Sequence, residues 1–455
     1  MRLPAILLFL SLPAALPAGE LMAGAARRDI TPSIQPGKPV FIAGFGQNRA
    51  ATGVADPLWA RCAALAAGPR PVVLCGVDSI GLFFGDVKRI RARVQQLVPR
   101  PADVIVAATH SHQTPDTMGL WGPNPATSGV DPAYNDFVVE QTAQAAAESI
   151  ATLRPASAII VQRDPENPAS WFSDSRPPVV HDPAVTAIAL LDLRRERLAT
   201  IVHWTNHPEA LGSRNTRLSA DYVATIYKEL DSNEGGVTVF LNGALGGMQS
   251  PLGAVFNDPL TGKPPAKDSP RFAEIVAHAA LSALRNALED PRPAVLDAVE
   301  YRETTMRVPV ANKNFLAASQ AGLFKHNQPV LQGGVIESPV GYLRLGAAGK
   351  LLLEAAMVPG ELYPELAAGG IRRDPNADFP SAPEEKPLKS LMSAPARIVV
   401  GLANDEIGYI LPKLQWDEKP PFTFGASKPW YGEVNSVGPE AAPALEQAFS
   451  RLVRQ

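Results

Sequence analysis

The chain has 455 residues, of which 46% are hydrophobic, and its 42 Lys and Arg against 45 Asp and Glu give a formal net charge of -3. This length and composition allow a large buried core, so the chain is a globular protein rather than a disordered or fibrous one. The balanced charge provides no broad basic field, which argues against nucleic acid or an acidic membrane as the main partner. A small neutral or amphiphilic substrate fits better.

The first residues predict an export signal. Met1 and Arg2 precede the apolar run LPAILLFLSLPAALPA, and small residues occur near Ala18. This order is typical of a signal peptide, so we assign residues 1–20 to one and expect export to the periplasm or the medium. The run contains prolines and is short for a membrane span. Its cleavage site departs from the small-x-small pattern, which leaves a retained anchor as the alternative.

Short apolar runs alternate with helix-like stretches, which favours an α/β fold (mixed α+β) with mixed β-sheets flanked by helices. We predict strands at 71–78, 103–109, 157–163, 184–193, 198–206, 237–243 and 396–404. Apolar positions three and four residues apart predict helices at 85–98, 134–153, 220–232, 270–289 and 441–455. Proline-rich stretches predict surface loops at 121–132, 166–183, 257–270 and 372–387. No repeat or linker divides the chain, so residues 21–455 are predicted to form a single large domain.

The two cysteines, Cys62 and Cys75, flank a segment that predicts a β-hairpin. A hairpin would set them opposite each other, and an oxidising compartment would permit a disulfide. Two buried free thiols are the alternative. Under either interpretation the pair does not form a cysteine metal site.

Two histidines, His110 and His112, stand one residue apart where the predicted strand 103–109 meets a turn. Side chains of an extended strand alternate between its faces, so both imidazoles would point the same way and Ser111 the other. Such a pair can hold a metal, share a proton or face solvent. Exposure to solvent would leave the apolar run before the pair unexplained.

Three further polar side chains follow apolar runs. His207 and Tyr409 come after predicted strands, and Glu361 comes after a Pro-Gly turn. Strand ends are where side chains from distant parts of a chain converge on a ligand. Two imidazoles, a carboxylate and a phenolate would fill most of a catalytic zinc coordination sphere. Each residue alone is also explained as a turn or packing residue, and His203 is a rival to His207, so the residues by themselves support only a metallohydrolase hypothesis.

The run FLNGALGGMQSP, residues 240–251, predicts a strand that enters a glycine-rich turn. Glycines let the backbone approach a ligand closely, and Ser250 would then offer its hydroxyl. A tight structural turn is the alternative.

Taken in order, these segments resemble the catalytic part of the neutral/alkaline, non-lysosomal ceramidase family. The similar segments are AARRDITP, VFIAGFG, GVADPLWARCAAL, ATHSHQTP, NHPEALG, LSADY, LNGALGGMQSP, VPGE and GLANDEIGYILP. They span roughly residues 22–415. No single segment is decisive, but the ordered set is fairly specific.

The resemblance implies a role for each candidate residue. The residues that it assigns to one Zn²⁺ ion are His110, His207, Glu361 and Tyr409. It implies that His112 faces the substrate amide as a proton donor or oxyanion partner. Ser250 would lie near the family's active-site serine, although the turn here is one residue longer, and Arg163 in VQRDP would contact the substrate.

The implied activity is hydrolysis of an amide in a ceramide-like N-acyl lipid, or a related N-acyl compound, by a zinc-activated water. For a ceramide the products would be a fatty acid and a sphingoid base, and the enzyme would make transient contact with a membrane surface. The alternatives are an exported zinc hydrolase that acts on an ester or a sugar-linked amide, and a catalytically silent binding protein of the same fold.

The sequence also departs from the family. Family members carry a further C-terminal β-sandwich domain, which this chain is predicted to lack. The Gly-Asp of the serine turn is Gly246-Gly247 here, QTP replaces SGP after the histidines, and QWDEKPPF replaces a tyrosine-rich segment. These three changes lie where substrate would be recognised, so metal-dependent hydrolysis is better supported than ceramide as the substrate.

Overall fold

The computed structural model of the chain describes residues 20–285, 287–288, 293–324 and 334–455. The predicted signal peptide, residues 1–20, lies outside the described residues except for Glu20. Across the described ranges no helix is both long enough and apolar enough to cross a membrane.

The secondary structure is numbered here in chain order. The strands are β1 (Met22–Asp29), β2 (Gly53–Val54), β3 (Trp59–Ala66), β4 (Val72–Val77), β5 (Asp103–Ala108), β6 (Arg154–Arg163), β7 (Val185–Asp192), β8 (Arg197–Trp204), β9 (Arg217–Leu218), β10 (Val237–Asn242), β11 (Ala298–Pro309), β12 (Val335–Ala347), β13 (Lys350–Met357), β14 (Glu361–Leu362), β15 (Ala396–Val400) and β16 (Tyr409–Ile410). The helices are α1 (Phe84–Leu97), α2 (Pro132–Ala151), α3 (Tyr222–Asn233), α4 (Pro270–Leu284), α5 (Lys313–Gln320), α6 (Pro364–Ala368), α7 (Tyr431–Val434) and α8 (Ala441–Arg454).

Two sheets dominate the fold. The larger runs in the order β10-β8-β7-β6-β1-β3-β4-β5, and the smaller in the order β11-β12-β13-β15. Most neighbouring strands are antiparallel, but β4 with β5, β8 with β10, and β13 with β15 are parallel. Parallel neighbours need a crossover connection, which contains α1 for the first pair and α3 for the second. The predicted mixed α/β fold is confirmed, and every predicted strand and helix has a counterpart.

Successive side chains of a strand face opposite sides of the sheet, so the larger sheet contributes to a hydrophobic core on each of its faces. On β4, Val73 and Cys75 face a cluster that contains residues of α1 and α2. Their neighbours Val72 and Leu74 face the opposite way, into a cluster shared with the smaller sheet. Helix α8 covers the far side of the smaller sheet with apolar side chains that include Phe449. The result is a layered arrangement of helices, sheet, sheet and helix, in which the apolar side chains of the sheets are buried between the layers.

The predicted hairpin at the cysteines is confirmed. Strands β3 and β4 are antiparallel, with Cys62 paired to Cys75 in their register. The two residues form a disulfide, so the alternative of two free thiols is wrong.

The larger sheet is so strongly curved that β10, at one edge, packs against β4, near the opposite edge. Arg61 of β3 donates to the carbonyl oxygen of Thr238 in β10 at 3.2 Å. In β4, Gly76 lies directly against the backbone of Phe240, where any Cβ would clash with the Phe240 carbonyl oxygen. This close approach requires glycine, and it brings the ends of β5, β8 and β10 together.

We therefore expect Gly76→Ala to lower the free energy of unfolding by about 1–3 kcal/mol, the usual cost of overpacking a buried contact. Chemical denaturation of the purified protein measures this change. Gly68→Ala is the matched control, because a Cβ at Gly68 meets nothing within 4 Å. Equal stability of the two variants would contradict the proposed contact.

Candidate metal centre

The first candidate ligand, His110, lies in a turn rather than in a strand. Strand β5 ends at Ala108, and His110 adopts a left-handed backbone conformation with φ 68°. Its backbone N–H donates to Ser79 O at 2.9 Å, and its Nδ1 lies 2.6 Å from Ile80 O. The predicted strand does not extend to the histidine pair, so the turn and these two hydrogen bonds orient the His110 ring, and strand alternation does not.

The second histidine of the pair reaches the same site. The His110 and His112 ring centroids are 5.0 Å apart. Ser111 points elsewhere, as predicted, and donates its hydroxyl to Ser219 O at 2.9 Å.

His207 lies in the turn after β8 and is oriented by one carbonyl oxygen. Gln249 O accepts the backbone N–H of His207 at 2.8 Å and lies 3.0 Å from its Nδ1. The rival His203 is buried within β8, where its Nε2 lies 2.8 Å from Val399 O. Burial lowers the pKa of His203 to about 4. The structure thus brings His207, and not His203, to the site.

Glu361 and Tyr409 are paired by the backbone. Strands β14 and β16 are parallel, and Glu361 stands opposite Tyr409 in their register. Glu361 N–H donates to Gly408 O at 3.1 Å. The Tyr409 hydroxyl lies 3.3 Å from Met248 Sδ. A carboxylate and a phenol that are 48 positions apart in the chain therefore enter the site side by side.

The distances between these groups fit a zinc ion. Glu361 Oε2 lies 3.2 Å from His207 Nε2 and 3.5 Å from His110 Nε2. Ligands about 2.0–2.1 Å from a tetrahedral Zn²⁺ are roughly 3.3–3.4 Å from each other. The Nδ1 atoms of both histidines face backbone carbonyl oxygens, as is usual for metal-bound imidazoles, so each Nε2 is the nitrogen left for a metal.

His112 is held at the edge of this group. The side-chain nitrogens of His110, His112 and His207 can be chosen so that all lie within 4.8 Å of one another, so the three imidazoles also form a possible metal-binding group. The Phe45 ring meets His112 edge-on at 4.9 Å, and any side chain at Gly44 would collide with the His112 ring. Burial, followed by the nearby His110 and His207, lowers the pKa of His112 well below its usual value.

The electrostatics of the site favour an ionised Glu361. Burial opposes its ionisation, but the charges and hydrogen bonds of His110 and His207 outweigh this and hold its pKa below the usual range. Burial, and then the charge of Glu361, raise the pKa of Tyr409 well above its usual value. Burial and the same charge also raise the pKa of the neighbouring Glu406.

One buried asparagine joins the loops that carry the ligands. Asn242 Nδ2 donates to Thr109 O and to Asn206 O, both at 2.9 Å. Its Oδ1 accepts from Asn206 N at 3.2 Å and from Gly243 N at 2.9 Å. Its backbone carbonyl accepts from Gly401 N at 3.1 Å. Asn242 thereby fixes the exits of β5, β8 and β15, which lead to His110, His207 and Tyr409.

A cavity of about 290 Å³ opens onto these residues. Its walls are largely apolar and include Phe45, Phe83, Trp121, Phe315, Phe324 and Ile336. The carboxylates among its lining residues are Glu209, Glu361 and Glu406, and none of the described lining residues is lysine or arginine. The cavity therefore suits an apolar ligand with a neutral or cationic polar group.

Comparison with solved structures identifies the fold. The chain is similar to the neutral ceramidase from Pseudomonas aeruginosa, with a TM-score of 0.69 and 15% sequence identity over 96% of this chain and 75% of that one. It is also similar to a ceramidase complexed with C2, with a TM-score of 0.69 and 14% identity over 95% of this chain and 75% of that one. The chain has a neutral-ceramidase-like fold. Neither protein-family models nor curated proteins give a match.

Two residues that were predicted from the ceramidase resemblance do not line the cavity. Arg163 ends β6 as an exposed side chain that donates to the carbonyl oxygen of Gln162 at 3.0 Å. The Ser250 hydroxyl accepts from Leu252 N at 3.1 Å, and its carbonyl oxygen accepts from Ser173 N at 2.9 Å. The Ser250 side chain thus caps a tight turn, and the carbonyl oxygen of its neighbour Gln249 contacts His207. The role of Ser250 near a substrate stays a prediction.

Three residues that shape the site within this ceramidase-like fold were not predicted from the sequence. Gln249 acts through a backbone carbonyl, and Asn242 acts through hydrogen bonds to other loops, so neither has a motif of its own. Glu209 was visible in NHPEALG, two positions after His207. Its position so close to a candidate ligand could have identified Glu209 as a possible site residue.

We expect Asn242→Ala to lower the free energy of unfolding by about 3 kcal/mol, because buried carbonyl and N–H groups lose their partners. Chemical denaturation measures the loss. Asn233→Ala serves as the control, since among the described residues the exposed Asn233 side chain bonds only Glu229 of its own helix, at 3.2 Å. An Asn242 variant as stable as this control would show that the loops do not depend on the asparagine.

Proposed function

We propose that the chain is a zinc-dependent hydrolase that cleaves an amide bond of an N-acyl lipid or a related N-acyl compound. The observation that carries the proposal is the ligand spacing between Glu361, His110 and His207, which fits tetrahedral zinc. The similar solved structures are named as ceramidases, and the shared fold supports the same reaction class.

The ligands in this proposal are His110, His207, Glu361 and Tyr409. A trihistidine site that uses His112 instead is the second ligand set. We favour the first set because Glu361 Oε2 lies at ligand spacing from the Nε2 atoms of both His110 and His207. Bound Zn²⁺ would polarise the amide carbonyl and lower the pKa of a water molecule toward about 7.

His112 supplies the proton chemistry in this proposal. Amide cleavage develops negative charge on the carbonyl oxygen and requires a proton for the departing amine. His112 lies beside the candidate ligands and lines the cavity, so its ring can donate a proton or a hydrogen bond to a substrate there. A substrate held between the apolar walls would displace water from these groups, which would strengthen each electrostatic contact.

The cavity also supports the substrate class. Its aromatic and aliphatic walls suit an acyl chain, while its carboxylates disfavour an anionic group next to the scissile bond. An N-acyl amine meets both conditions. The Cys62–Cys75 disulfide supports the export that the N-terminal sequence predicts, because disulfides persist in oxidising compartments.

The proposal is tested by the zinc content and amidase activity of the purified protein and its variants. We expect about one zinc per chain in the wild type, loss of zinc in His110→Ala, and weaker zinc binding in Tyr409→Phe. His112→Ala should keep its zinc and lose roughly 10²–10⁴-fold in kcat, because it removes the proton donor and no ligand. Elemental analysis and hydrolysis of a series of N-acyl amines, ceramides first, measure the two properties.

Other outcomes would overturn parts of this proposal. Loss of zinc in His112→Ala with retention in a Glu361→Gln variant would establish the trihistidine ligand set instead. Loss of zinc in His203→Ala rather than His207→Ala would refute the assignment of His207. A wild-type protein that binds no zinc after reconstitution would end the metal mechanism, and zinc with hydrolysis of esters alone would change the substrate class.

The apolar wall of the cavity leads to a separate prediction about the length of the substrate's acyl chain. Removing a large ring from the wall should weaken binding of long acyl chains, so Trp121→Ala should raise KM for long-chain N-acyl substrates by about tenfold or more. KM for short-chain substrates should change little. Trp171→Ala is the matched control, since Trp171 packs in a different apolar cluster. Equal effects on short and long chains would place the acyl group elsewhere.

A further inference from the structure

A buried carboxylate faces His112. Glu209 is 1% exposed, and neither of its carboxylate oxygens has a hydrogen-bond partner among the described residues. Its Oε2 lies 3.3 Å from His112 Nδ1. Neither ring nitrogen of His112 has a hydrogen-bond partner there either. Burying an ionisable group without a partner is costly, so the close approach of these two side chains requires an explanation.

The backbone holds the two side chains together. His112 N–H donates to Pro208 O at 3.0 Å, which ties the histidine turn to the loop that carries Glu209. That loop is itself closed by hydrogen bonds from Glu209 N to His207 O and from Gly212 N to Glu209 O, both at 2.9 Å. The distance between the two side chains is therefore set by rigid turns on both sides.

The contact lacks the alignment of a hydrogen bond, but its atoms are within reach of one. Hydrogen bonds in active sites are often long or poorly aligned before substrate binds, and they tighten in the complex. A carboxylate that accepts from one imidazole nitrogen fixes the ring tautomer and leaves the other nitrogen for chemistry. The geometry around His112 matches that requirement.

We propose that Glu209 is a positioning residue for His112. It accepts a hydrogen bond from Nδ1–H and thereby directs Nε2 to the substrate. Nε2 then accepts a proton from the attacking water and passes that proton to the departing amine. This inference rests on the proposed function, because it assigns Glu209 a role in the proton chemistry of His112. It assigns no zinc ligand and no direct substrate contact to Glu209.

The test compares the variants Glu209→Gln and Glu209→Asp in the zinc-loaded enzyme. Glutamine keeps the size of the side chain without its charge, whereas aspartate keeps the charge on a shorter side chain. We expect Glu209→Gln to lower kcat about 10–100-fold, with KM and zinc content unchanged, because the carboxylate acts through another residue. Glu209→Asp should retain more activity than Glu209→Gln, since a packing role would predict the reverse order.

A double-mutant cycle separates positioning from a general structural effect. In the His112→Ala background, Glu209→Gln should produce no further loss of kcat. Glu385→Gln is the matched control, because Glu385 is also a buried glutamate with an unpartnered oxygen, and it lies outside the cavity lining. A similar loss of kcat in both backgrounds, or a loss of zinc in Glu209→Gln, would overturn the inference.

Nitrogen NMR of the histidine rings gives a readout that does not depend on activity. We expect the wild-type His112 signals to show the proton on Nδ1, and Glu209→Gln to shift that tautomer balance. Unchanged His112 signals would refute the positioning role even in an active enzyme. Absence of zinc and of hydrolysis in the wild type would instead refute the proposed function, while the NMR result would still decide the contact between Glu209 and His112.

Discussion

The site depends on the hydrogen bonds of one buried asparagine. Asn242 uses its side-chain amide and its backbone carbonyl to join the exits of three strands from two different sheets. Two of those strand ends lead to a candidate ligand in the next residue, and the third leads to Tyr409 eight residues after Gly401. A carbonyl or N–H buried without a partner is costly, so the loops are held in the one arrangement that satisfies all of them. The positions of the candidate ligands therefore follow from hydrogen bonds of the backbone. The loops that these bonds hold place the imidazoles and the carboxylate in the site.

The site gathers three buried acidic groups. Glu209, Glu361 and Glu406 are each less than one tenth exposed, and no lysine or arginine among the described residues lines the cavity to offset them. Buried carboxylates are tolerated only with partners that stabilise their charge or with a bound proton. Imidazole nitrogens lie within 3.5 Å of two of them, Glu361 and Glu209, and a metal cation would add charge of the needed sign. The same shortage of positive side chains makes the cavity selective against anionic ligands.

The sequence predicted the parts of the fold that have a regular pattern. The long helices and seven of the strands were predicted because their apolar positions repeat. Strands β1, β11 and β12 were missed because they are rich in alanine or charged residues, or contain proline and glycine. The convergence of His110, His207, Glu361 and Tyr409 was predicted from strand ends and from the family resemblance. The orientation of these side chains could not be predicted from the sequence. It depends on backbone carbonyls such as Gln249 O, whose direction follows from tertiary structure and not from residue type.

The register that pairs Glu361 with Tyr409 also bears on how such a site can diversify. The two residues sit on one short parallel ladder, so their separation is fixed by the spacing of adjacent strands and not by the chain between them. That intervening chain includes α6, β15 and a long proline-rich loop. Insertions or deletions in that loop can reshape the surface while the ladder keeps the carboxylate and the phenol in place. Homologues could thus change what they recognise by altering loop length, without any change in the metal-binding geometry.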